Sequence, residues 1–75
     1  MKQLCLESND DSTILFISGD IEAIFSNRRA VRYIKDTLKF RQTNEKITVE
    51  VDKDINKTID KIKKICEYIS AELIY

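Results

Sequence analysis

The chain has 75 residues, 43 % hydrophobic and 35 % charged, and its 13 basic side chains balance 13 acidic ones. That length admits one domain, which buries only about 60 % of the surface its unfolded chain exposes, so the core must be thin. The neutral total excludes a whole-molecule field that gathers nucleic acid or membrane, and no apolar run approaches the ~20 residues of a membrane span.

Residues 2–7 read as a short strand with Leu4 and Leu6 on one face. Residues 8–12, Ser-Asn-Asp-Asp-Ser, are turn chemistry, because short polar side chains bond their own backbone. Residues 13–18 form a second strand whose continuous apolar run suits a central position covered on both faces. The five-residue polar connection predicts a hairpin.

Gly19 is the only glycine and proline is absent, so Gly19-Asp20 marks the sharpest local break. Asp20 is placed to cap a helix, with Glu22 in its first turn. The apolar phase changes at Ser26-Asn27, both capping residues. This predicts a short turn over 20–25 and the main helix over 27–41. After a loop at 42–45, Ile47, Val49 and Val51 alternate with polar residues as a half-buried strand. Asp54 caps a final helix, where Ile55, Ile59, Ile62, Cys66, Ile69 and Leu73 recur at alternating four- and three-residue spacing.

The expected fold is therefore α+β in the order β-β-α-β-α: a three-stranded sheet with two helices packed on one face. Spatial order 1-2-3 with strands 2 and 3 parallel is favoured, and order 2-1-3 stays open. Residues 71–75 stop inside an apolar pattern with no Gly, Asn or Pro to close it. The expectation is a single small domain at the N-terminus of a longer protein.

Catalytic chemistry is sparse. There is no histidine, hence no common general base or metal ligand. Cys5 and Cys66 stand 61 positions apart without a Cys-x-x-Cys pair, which gives no zinc site. One glycine builds neither a phosphate loop nor a dinucleotide fingerprint. Neither a secretory leader nor a membrane segment is visible, so a cytoplasmic location with two free thiols is expected. No enzyme activity, cofactor or metal is expected of this chain.

Charge is distributed unevenly. Residues 1–27 carry one Lys and five acids, whereas residues 28–46 carry seven bases and two acids. With ~100° per helical residue, Arg28, Arg32, Lys35 and Lys39 share a ridge about 60° wide, with Arg29 beside it. Like charges at i,i+4 repel by a few tenths of a kcal/mol per pair, and a purely solubilising face usually intersperses acids. The ridge reads as a phosphate contact, weak and salt-sensitive, with Tyr33 near enough to stack on a base. The plainer alternative is a solvated helix face, or one paired with the N-terminal acids. Tyr68 and Tyr75 lie on one side of the last helix and are candidate protein contacts. Docking through them, or dimerisation on an open strand edge, is the competing reading.

The layout as a whole is a hairpin, a basic helix, the strand over 47–51 and an amphipathic last helix. It resembles the small N-terminal domains that precede bacterial Swi/Snf-type helicase cores. The resemblance implies an accessory domain of an ATP-dependent helicase or translocase, in which Arg28, Arg32, Lys35 and Lys39 offer an auxiliary DNA contact. The helicase motifs themselves are absent, so ATP binding and the downstream domains would belong to the parent protein.

Overall fold

A computed structural model describes all 75 residues. The chain runs β1 (Lys2–Ser8), β2 (Ile14–Gly19), α1 (Glu22–Phe25), α2 (Arg28–Thr37), β3 (Phe40–Gln42), β4 (Ile47–Glu50), α3 (Ile55–Ile69) and β5 (Ala71–Ile74). The strands form one five-stranded sheet in the order β3-β4-β2-β1-β5. This corrects the expected three-stranded β-β-α-β-α fold: there are five strands and three helices.

The pairing corrects a second expectation. The strand over 47–51 does lie beside β2, but antiparallel, with Phe16 opposite Thr48. The reason is β3. The α1–α2 segment crosses from β2 to β3 at the sheet edge, and the β3–β4 hairpin then folds back between them. From β2 onward the connectivity is β-α-β-β-α-β, a split β-α-β arrangement. β1 is an extra strand between β2 and β5, antiparallel to β2 and parallel to β5.

Alternation decides which face is buried. Leu4, Leu6, Leu15, Ile17, Ile47 and Val49 point one way and are all buried. They meet Ile24 of α1, Ala30 and Ile34 of α2, and Ile62, Ile65, Cys66 and Ile69 of α3 in one cluster. The intervening residues Cys5, Ile14, Phe16 and Thr48 face the other way and are half-buried, while Arg41 is exposed. Thus β2 is central but not covered on both faces, contrary to expectation. Its outward apolar residues line an uncovered sheet face.

Local chemistry explains the breaks. Asn9 Oδ1 accepts from the N–H groups of Thr13 (2.9 Å) and Ile14 (3.0 Å), closing the β1–β2 turn. Asp20 does not cap a helix. Its carboxylate accepts from Gln3 N–H at 2.8 Å, and the N-cap position of α1 is Ile21, which makes no side-chain cap. Gly19 has φ +97°, and a Cβ there would lie 2.5 Å from the Gln3 carbonyl oxygen. Only glycine fits that approach.

Two helix ends differ from the expected ones. The main helix stops at Thr37 rather than 41, because Leu38 is extended. The Thr37 hydroxyl donates back to the Tyr33 carbonyl (2.6 Å), and Lys61 Nζ donates to the Thr37 carbonyl (3.2 Å). The last helix stops at Ile69, where Ser70 adopts the left-handed conformation (φ 55°). Residues 71–74 are then a strand, not a continuing helix. Leu73 fits both periods, since it would extend the helical stripe and it also alternates inward with Ala71 in β5.

Candidate nucleic-acid interface

The basic face begins with the cap of α2. Asn27 Oδ1 accepts from Ala30 N–H (3.1 Å), and Asn27 Nδ2 donates to the Tyr68 carbonyl (2.9 Å). One side chain therefore starts α2 and ties it to the C-terminal turn of α3. With Ala30 and Ile34 held in the core, Arg28, Arg29, Arg32 and Lys35 are all exposed.

Ion pairing hardly neutralises this face. Arg32 Nε lies 4.0 Å from Asp36, with side chains 87 % and 68 % exposed. Such a pair is worth about 0–1 kcal/mol. The second ion pair, Lys64–Glu67 at 3.6 Å, lies on α3. Arg28, Arg29, Lys35, Lys39 and Arg41 join no ion pair. The acids of residues 1–27, the obvious neutralising partners, do not reach them.

The helical ridge is shorter than expected but continues by another route. Because α2 ends at Thr37, Lys39 stands on extended backbone at the entrance to β3. Arg28, Arg32 and Lys35 line one shallow depression with Phe25 and Val31. Lys35, Lys39 and Arg41 line the next, with Ile14, Thr48 and Glu50. Lys35 belongs to both. The cations thus run along α2 and turn round the end of the sheet toward its uncovered face. Arg41 and this turn were missed by helical reasoning. The signal was present in Lys39-Phe40-Arg41, whose alternation puts both cations on one side of a strand.

The aromatic candidates sit elsewhere. Tyr33 faces α3, its ring 5.7 Å from that of Tyr68 and tilted by 57°. It is half-buried and packs against the core between α2 and α3. Tyr68 is likewise packed, and Lys64 Nζ lies 5.6 Å from its ring centroid. Tyr75 follows β5, is 71 % exposed and is not on α3. The two tyrosines therefore do not share a helix face.

Chemistry beyond electrostatic contact finds few parts. No group of three or more His, Cys, Asp or Glu side chains comes together that could hold a metal. Cys5 and Cys66 are free, on opposite faces of the sheet, and burial pushes the Cys66 thiol up from its ordinary value. No helix is long and apolar enough to cross a membrane. Comparison with protein-family models, curated proteins and solved structures finds no match to this chain.

Proposed function

We propose that this domain is a non-catalytic accessory module that contacts nucleic acid through the cation row of Arg28, Arg32, Lys35 and Lys39, flanked by Arg29. The observation that carries the reading is that Arg28, Lys35 and Lys39 are exposed, aligned along adjoining depressions, and free of ion pairs. Holding like charges together costs stability. Arginine and lysine in such a row suit phosphate oxygens, arginine by its fork of donors and lysine as a point charge. The parent in this reading is an intracellular nucleic-acid translocase of the Swi/Snf type, whose ATP chemistry lies outside this chain. Free Cys5 and Cys66 suit a reducing compartment.

Fluorescence anisotropy with labelled oligonucleotides tests it. Four neutralised phosphates make log affinity fall against log salt with a slope of about −3.6 on a duplex and about −2.8 on a single strand. The quadruple variant Arg28→Ala, Arg32→Ala, Lys35→Ala, Lys39→Ala loses both binding and slope. Equal binding by wild type and variant removes the reading.

A second reading is supported by β5. This edge strand carries one charge, Glu72, and ends in Ile74, which is 38 % exposed and is followed by Tyr75, 71 % exposed. Unguarded edges accept another strand. In this reading the domain is a protein-interaction or dimerisation module, and light scattering of the purified chain shows a species heavier than 8.8 kDa.

A further inference from the structure

We infer that the nucleic acid is single-stranded, with phosphates held by Lys39 and Arg41 and a base stacked on Phe16 across the uncovered sheet face. The inference deepens the nucleic-acid reading and rests on it. β-Register supplies the geometry. Arg41 pairs with Thr48, Thr48 with Phe16, and Phe16 with Glu7, so these four side chains form one row across the uncovered face. Two strand spacings, about 10 Å, separate the Arg41 and Phe16 backbones. A nucleotide spans that gap when its phosphate rests on the long Arg41 side chain and its base lies inward.

Phe16 is the aromatic residue on this face. Phe40 alternates inward to the core, and Tyr75 lies near Lys63 of α3. The Phe16 ring is half-buried and stands outside the core cluster. Lys46 Nζ already lies 4.7 Å from its centroid, a cation–π contact that marks the ring as approachable. An arriving base takes that ring face and frees the Lys46 ammonium for a phosphate. Stacking is tolerant of sequence, because every base has a π-face.

The charges orient the strand. On this face the bases Lys39, Arg41 and Lys46 lie on the β3–β4 side, with one acid, Glu50. Glu7 and Glu72 lie on the β1–β5 side. Phosphates are therefore held along β3 and repelled from β1 and β5. A duplex keeps its bases stacked inside and cannot lay one flat on a sheet, whereas a single strand can splay them outward.

The test is anisotropy of the full chain with labelled oligo-dT and with a hairpin duplex of the same nucleotide count, at two salt concentrations. Oligo-dT binds more tightly than the duplex. Phe16→Leu weakens oligo-dT by about tenfold, the lower range of one base–aromatic stack, and leaves its salt slope unchanged. Arg41→Ala makes the oligo-dT slope shallower by about 0.7. Circular dichroism confirms that both variants fold. Salt-dependent binding that is equal for the two forms and indifferent to Phe16→Leu overturns this inference while sparing the cation row. Failure of both nucleic acids to bind overturns both.

Discussion

Asn27 does two jobs with one amide. Its oxygen caps α2 and its nitrogen holds the carbonyl of Tyr68. Asn27→Asp keeps the acceptor and loses the donor, while Asn27→Ala loses both. Urea denaturation should rank them wild type, then Asp, then Ala, with Ala lower by about 1–2 kcal/mol. Asp11 gives a pH signature. The Thr13 hydroxyl at 2.6 Å, and after it the Thr13 N–H at 3.3 Å, hold its carboxyl below the ordinary value. A depressed folded-state value stabilises the fold above the unfolded pKa of about 3.9, and that contribution is lost as pH falls through the lowered value. Asp11→Asn should therefore flatten the acid side of the stability profile measured by urea midpoint against pH. Gly19 tolerates no side chain: Gly19→Ala forces a Cβ against the Gln3 carbonyl, and thermal melting should show a loss above 1 kcal/mol.

Among the elements, those with long regular patterns were readable from the sequence and the short ones were not. β1, β2, β4 and α3 announce themselves by alternation or by a continuous stripe. β3 is three residues long and follows directly on a helical pattern, so nothing local separates it from α2. The end of α2, where Leu38 turns extended, is held by another element, Lys61 of α3 donating to the Thr37 carbonyl, and that contact is invisible to any local window. Lys61→Met keeps the aliphatic stem and removes the donor. Amide exchange should then show faster opening of the last turn of α2. At the end of α3 the sequence misled differently, because Leu73 faces inward under either period. The break comes from Ser70 adopting a left-handed conformation that glycine adopts more easily. Ser70→Gly should raise stability by up to about 1 kcal/mol, and Ser70→Val should lower it, in the same denaturation assay.

At the scale of the molecule, the two faces of the sheet differ in burial. The covered face makes the whole core, with Leu4, Ile17, Ile47 and Val49 fully buried. The other face is free to carry Phe16 and Ile14 half-exposed beside cations. The composition indicated one thin-cored domain with a basic middle third, and that middle third does present its cations outward. The path of those cations was only partly readable. Arg28, Arg32 and Lys35 follow from helical spacing, whereas Lys39 and Arg41 depend on a crossover into an edge strand, which only long-range pairing with β4 defines.

Titrating isotope-labelled chain with oligo-dT, and following backbone amide and arginine side-chain resonances, bears most directly on this account. The perturbed signals should map to Arg28, Arg32, Lys35, Lys39 and Arg41 and extend to Phe16, and they should return toward their free positions as salt is raised. Perturbations confined to Ala71–Ile74, or spectra unchanged at saturating oligonucleotide, would contradict it.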